Sequence, residues 1–286
     1  MNDNTKENTI IDSVGLTLMF SQLRLPAIRD AWEQFAERAD KEGWPAGRLL
    51  ATLAELELAE RGHRRIQRHL AEAHLIAGKS LDSFDFSAVP TISPSRVRAL
   101  ASNDSWLKGG HNVIIFGPPG AGKSHLASAI GLALVEGGKR VMFTRTTDLV
   151  QKLQMAHREL RLESVLERLN RYDLLILDDL AYVRKDRDET RVLFELISNR
   201  YESRSLLITA NQPFEEWKNV FPDENTAVAA VDRLVHHCVI LEMNVESYRL
   251  RHAMEKKKEE VKKKRGRPAK YATENNSKGL TSKTED

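Results

Sequence analysis

Cysteine is almost absent: Cys238 is the only one in 286 residues. A disulfide within the chain and a centre built from several thiolates are thereby excluded, and a reducing compartment is indicated. Cys238 itself sits in the apolar run HCVILEM and reads as core. No stretch of about 18 apolar residues occurs, so no membrane-spanning helix and no membrane partner are expected. The opening residues MNDNTKENTIIDS are polar and carry acids, without the basic-then-apolar order of a secretory leader. A cytoplasmic protein is expected. Internal repeats, a Ser/His/Asp arrangement and a spaced set of metal ligands are all missing. The nine histidines are scattered, and His236-His237 read as helix surface.

Net charge is also scarce, at +3, but it is unevenly spread. Lys256, Lys257, Lys258, Lys262, Lys263, Lys264, Arg265, Arg267 and Lys270 face only Glu259 and Glu260, a local excess of seven that leaves about −4 for everything else. Such concentration points to a polyanionic partner beyond any nucleotide.

What the chain does have is NVIIFGPPGAGKSHLASAIGLAL, from Asn112 to Leu134. A buried-strand run ends in a glycine-rich turn, and an Ala/Leu-rich helix pattern follows at once. The turn fits the P-loop pattern at Gly117, Gly122, Lys123 and Ser124. Glycines let consecutive N–H groups curl towards phosphate oxygens at the positive end of the following helix. Gly117, Pro118, Pro119, Gly120, Ala121, Gly122, Lys123, Ser124 and His125 are therefore the expected ATP-binding residues. Lys123 reaches the β and γ phosphates, and the Ser124 hydroxyl can ligate Mg²⁺. Downstream, DLLILDDL reads as a strand buried on both faces, with Asp178 and Asp179 at its C-terminal end, where open α/β sheets place ligands. This is a Walker B candidate: Asp178 serves the metal and Asp179 orients or deprotonates water. Another buried strand, SLLITANQ, ends in Thr209 and Asn211, either of which can contact the γ-phosphate or the attacking water.

The length favours one large domain with an accessory part. Residues 1–15 are expected to be disordered, and 16–77 to form a helical region, broken at Gly43-Trp44-Pro45. Arg61, Arg64, Arg65 and Arg68 there make a basic face, either a solvated surface or a phosphate- or partner-binding one. Residues 78–93 read as a linker whose Phe84 and Phe86 pack on the nucleotide domain, 94–254 as an ATP-binding domain, and 255–286 as a basic disordered tail. A helix is expected from Pro94 to Leu107, a strand opening a helix capped near Thr147 or Asp148, and a helical stretch continuing to Asn170.

The segments GPPGAGKSHLA, LLILDDL, RYESRSLLITANQPFEEWKNVFPD, AVDRLVHH and ESYRLR, in this order and spacing, resemble the IstB-like ATPases, helpers of an insertion-sequence family related to DnaC helicase loaders and part of the AAA+ superfamily. The resemblance implies an α/β fold, a P-loop AAA+ parallel sheet flanked by helices and a helical lid, beside the N-terminal helices and the basic tail. It implies Mg-dependent ATP hydrolysis stimulated by DNA or a partner, homo-oligomerisation on duplex DNA with residues 16–77 as the oligomerisation or partner region, and recruitment of a transposase. Asn211 then looks like sensor 1, Arg233 like an arginine finger acting in trans, and Arg249, with Arg251 close by, like sensor 2. Asp179 departs from the glutamate of most AAA+ proteins. In the tail, Arg265-Gly266-Arg267-Pro268 resembles an AT-hook for A·T-rich minor grooves, with Lys264 and Lys270 as adjoining DNA-binding residues. The other functions in play are a DnaC-like replicative helicase loader, a small-molecule P-loop kinase, and a DNA-binding structural protein in which ATP only holds the fold.

Overall fold

The computed structural model describes residues 13–180, 186–213, 216–217 and 224–245, with side chains in the last segment from Val228 onward. Five short apolar runs form the strands β1 (Asn112–Phe116), β2 (Val141–Arg145), β3 (Leu174–Asp178), β4 (Ser205–Ala210) and β5 (Cys238–Glu242). They lie in the order β2-β3-β4-β1-β5, and all four pairings are parallel. Side chains alternate across a strand, and both faces are covered. Leu175, Leu177 and Ile208 enter one core, and Leu174, Ile176 and Leu207 the other. The expected double burial of β3 is met, since Leu174 to Leu177 are all 0% exposed.

The helices are α1 (Ser13–Gln22), α2 (Pro26–Glu42), α3 (Ala46–Ala73), α4 (Pro94–Ser102), α5 (Ser105–Lys108), α6 (Lys123–Glu136), α7 (Thr146–Arg158), α8 (Leu162–Leu169), α9 (Arg187–Arg200) and α10 (Glu224–Val235). α4 and α6 cover one face of the sheet, and α7 to α10 the other. Among the described residues no helix is long and apolar enough to cross a membrane.

α1 to α3 place helices over 13–73, ending short of the expected 77, and Gly43-Trp44-Pro45 separates α2 from α3 as predicted. Leu25, the residue before α2, offers no side-chain cap. Glu57 of α3 replaces it: its buried carboxylate accepts the N–H groups of Ala27 and Ile28 at 2.9 and 3.2 Å, and Arg61 at 2.9 Å. Burial pushes the Glu57 carboxyl up, but these bonds outweigh it and hold it below the usual range. Arg61 and Arg64 of the predicted basic face thus pair with Glu57 and Glu60 on their own helix. From Arg65 onward α3 lies along α6 and β2. Arg65 approaches Gly138, Arg140 bonds Glu72 at 3.0 Å, and the Ile76 N–H donates to Ser128 Oγ at 2.9 Å.

Three expectations are corrected. α1 begins at Ser13, so of residues 1–15 the last three are helical and the first twelve lie outside the described part. The single helix predicted over 94–107 is two, α4 and α5, parted at Asn103 and Asp104. The helical stretch to Asn170 is likewise two, with Leu160 at φ 56° between α7 and α8. α7 starts at Thr146 after its N-cap Arg145, so Thr147 and Asp148 lie in its first turn, near the cap as expected.

Candidate nucleotide and metal site

The C-terminal ends of β1, β3 and β4 are neighbours in the sheet, which brings Gly117, Asp178 and Asn211 to one edge. Gly117 opens the loop after β1. Its N–H donates to Ala210 O at 3.3 Å, while Phe116 O accepts Met243 N–H at 2.8 Å. With φ at 154°, a Cβ on Gly117 would stand 2.2 Å from Met243 O, so only glycine fits. Pro118 and Pro119 are exposed, and Ala121 N–H returns to Pro118 O at 3.2 Å. Gly120 and Gly122 carry the loop at φ 82° and 99° into α6. The first turn of α6 has no acidic residue, which leaves its positive end unneutralised.

Lys123 is only 5% exposed. A buried ammonium needs polar partners, and Lys123 Nζ donates to Gly117 O at 2.9 Å, Pro118 O at 3.0 Å and Asn211 Oδ1 at 2.7 Å. Asp178, also buried, is fixed twice. Thr209 Oγ1 donates to Asp178 Oδ1 at 2.6 Å, and Thr146 Oγ1 to the Asp178 carbonyl at 2.9 Å. The same Thr209 hydroxyl accepts the Asp179 N–H at 2.9 Å, and the Thr209 carbonyl accepts Leu180 N–H at 2.9 Å. Asp179 takes the left-handed conformation at φ 57°. Asp178 and the half-buried Ser124 offer hard oxygen donors of the kind Mg²⁺ takes. The open α6 terminus and the pinned lysine suit a polyphosphate, so the residues present fit both ATP and its metal ion.

Three other predicted residues stand differently. The His125 ring is turned to the segment before α4: Nε2 lies 3.1 Å from Ser83 Oγ and 3.2 Å from Ser80 O, and Phe84 meets the ring edge-on at 5.2 Å. Burial there pushes its pKa down. Arg233 bonds Ala229 O at 3.0 Å, and its guanidinium lies 4.9 Å over the Phe194 ring. These contacts belong to α9 and α10, not to the cluster around Lys123, Asp178 and Asn211. Arg249 lies outside the described residues, as do Arg251, Lys264, Arg265, Arg267 and Lys270.

Sequence reasoning passes over Thr146 and Met243, which carry no motif of their own. It places Thr209 at the ligand edge but misses that the hydroxyl is directed at Asp178. Phe84, expected to pack on this domain, does so, 7% exposed, beside Gly122.

Residues 18–256 match the family described as IstB-like ATP binding protein, and residues 262–274 match the AT-hook motif. An insertion-sequence ATP-binding protein of Sinorhizobium fredii is 65% identical over 92% of this chain and 87% of its own length. The corresponding protein of insertion sequence IS21 from Pseudomonas aeruginosa is 36% identical over 82% of this chain and 89% of its own. Among solved structures, the DnaC helicase loader superposes with a TM-score of 0.50 at 23% identity, covering 59% of this chain and 98% of that one. The replication initiator DnaA bound to AMPPCP and single-stranded DNA gives 0.51 at 20% identity, covering 65% and 56%. At these identities the likeness speaks for the fold alone, a parallel sheet with flanking helices.

Proposed function

Because the chain belongs to the IstB-like ATP-binding protein family, we propose that it is an ATP-hydrolysing helper of insertion-sequence transposition that assembles on DNA and recruits or regulates a transposase. The observation that carries the ATPase reading is the double hold exerted from the end of β4, where Asn211 bonds Lys123 and Thr209 bonds Asp178. The phosphate-binding cation and the metal-binding carboxylate are thus tied to one strand end.

In this reading the loop N–H groups and Lys123 hold the phosphates, and Ser124 and Asp178 hold Mg²⁺. When bound, Mg²⁺ neutralises charge on the phosphate oxygens. Asp179 takes the proton of the attacking water, Asn211 contacts the γ-phosphate, Arg233 serves a neighbouring subunit and Arg249 the same one. A carboxylate one methylene shorter than glutamate implies slow turnover, which a timed switch tolerates. A DnaC-like loader shares the fold, but the 65% and 36% identical relatives are insertion-sequence proteins. ATP turnover measured with and without duplex DNA tests the reading, and turnover that never occurs under either condition overturns it.

Thr209 has a measurable part in this. Thr209→Val keeps the shape and removes the hydroxyl that bonds Asp178 and accepts Asp179 N–H. Losing a hydrogen bond to a charged group costs about 1.5–3 kcal/mol, so kcat is expected to fall roughly 10- to 100-fold with little change in ATP affinity, and Thr209→Ser should recover most of it. A Ser variant as slow as the Val variant would reduce Thr209 to a packing role.

The tail gives a second test, on DNA. Deleting residues 256–286 should leave ATP binding intact, weaken duplex binding and flatten its salt dependence, by about 0.9 in log–log slope for each phosphate that is no longer neutralised. Replacing Arg265 and Arg267 by alanine should selectively reduce the preference for A·T-rich duplexes. Unchanged affinity and slope after the deletion would remove the tail from the DNA interface.

A further inference from the structure

At the end of the sheet opposite the nucleotide residues, three turns meet. One runs from α5 into β1 and carries His111, one from α9 towards β4 carries Tyr201 and Glu202, and one from α10 into β5 carries His236 and His237. Their backbones are held close. A Cβ on Gly110, at φ 66°, would stand 2.7 Å from Glu202 C and 2.8 Å from Ser203 N. Asn112 N–H donates to His237 O at 2.7 Å. Glu202 is itself in the left-handed region at φ 56°, a conformation glutamate adopts only under local constraint.

The side chains converge as well. Glu202, His236 and His237 each place a ligand atom within 4.8 Å of the others, and all three are exposed and reachable from solvent. His236 Nδ1 and Glu202 Oε1 are 3.9 Å apart. Zinc bonds to imidazole nitrogen and carboxylate oxygen are about 2.0–2.2 Å long, which puts two ligands of one tetrahedral ion about 3.4 Å apart, so a closure of about half an ångström by rotation of these two exposed side chains brings both into bonding range. The neighbours restrict the rings. His111 stacks on His237 with centroids 5.1 Å apart at 22°, and the Tyr201 hydroxyl lies 2.9 Å from His236 Nδ1.

We propose that Glu202, His236 and His237 form a binding site for a borderline divalent cation, zinc being the best match, separate from the magnesium site. Two imidazoles and one carboxylate form a three-ligand set that leaves a fourth position for water, and nitrogen donors select zinc over magnesium. His111 orients the ring of His237 from behind. The Tyr201 hydroxyl must give up its bond to His236 Nδ1 when the ion binds, and it stays within reach of the bound water. Occupancy ties the turn before β5 to the turn after α9. That stiffens the C-terminal end of α10, the helix of Arg233.

The test uses the untagged full-length protein, stripped of metal and titrated with zinc chloride in excess magnesium. The expected result is one zinc per chain, insensitive to magnesium, with a zinc-dependent rise in Tm. A residue that merely supports a ligand changes affinity about 10- to 100-fold, so His236→Ala and Glu202→Gln should each weaken binding at least about tenfold. Both side chains are exposed, so the metal-free variants should unfold at the wild-type temperature. Cobalt in place of zinc should give a visible spectrum with no thiolate charge-transfer band, since Cys238 is outside the ligand set. Wild-type zinc affinity in both variants, no binding below millimolar zinc, or a thiolate band would each overturn the assignment.

Discussion

Lys123→Ala is expected to abolish ATP binding at concentrations that saturate the native protein. The site is otherwise built from backbone N–H groups and one open helix end, each contributing only a partial charge. The lysine is the full positive charge placed by the loop itself, 5% exposed and already directed at Gly117 O, Pro118 O and Asn211 Oδ1. In the proposed reading its removal takes away the cation that neutralises the β and γ phosphates. Those oxygens accept weaker partners or water, so the fold is expected to persist, and thermal unfolding of the variant reports that separately. Asp179→Asn is the contrasting case. It should keep ATP and hydrolyse it more slowly, because Asp178 still serves the metal. Near-normal affinity and turnover in Lys123→Ala would remove the loop from the chemistry. Equal loss of ATP binding in both variants would contradict the division of roles.

Arg233→Ala is expected to lower turnover about 10³-fold while sparing ATP affinity, the scale of an arginine finger. Within one chain the guanidinium rests over Phe194, an interaction worth about 0.5–1 kcal/mol where exposed. That is little enough for a neighbouring phosphate to outcompete. Acting in trans makes a strong claim about mixtures. Subunits carrying Arg233→Ala keep an intact P-loop, and subunits carrying Lys123→Ala keep an intact finger. Mixing the two should therefore restore part of the activity at interfaces that combine the intact halves. Mixtures that never exceed the sum of the separate variants would place Arg233 outside the site.

The parts of this protein that could be read in advance are those in which one segment contains its own explanation. A strand, a glycine turn and a helix follow one another between Asn112 and Leu134, and four apolar residues precede Asp178 and Asp179, so short-range pattern was enough. Relations set by strand register were not legible in this way. Thr209 reaches Asp178 because Leu177 on β3 pairs with Ile208 on β4, and nothing local to either run announces that register. Asp179 reads in the sequence only as a shortened glutamate, yet its backbone is left-handed, and aspartate is among the few residues that visit that region readily. The break at Leu160 has neither glycine nor proline to mark it, and its side chain is 94% exposed. Arg200 would pass for a surface charge. It is fully buried, donating to the carbonyls of Leu169, Tyr172 and Ser205, and burial lowers its pKa to about 9. His236-His237, read as plain helix surface, acquire neighbours only when three distant turns meet.

The seating of α3 on α6 has a mechanical consequence. From Arg65 onward the chain is tied to α6 and the turn after it through Gly138, Arg140 and Ser128, whereas the part over residues 46–64 extends N-terminal to those contacts, with α2 bonded to it at Glu57. At 1.5 Å per residue the extending part is about 28 Å long. A tilt of roughly 10° at the clamp would therefore swing its far end through about 5 Å, close to one helical pitch. A displacement of α6 too small to disturb the sheet would be magnified at Trp44, and the N-terminal helices would act as a pointer whose pivot is the helix opened by Lys123.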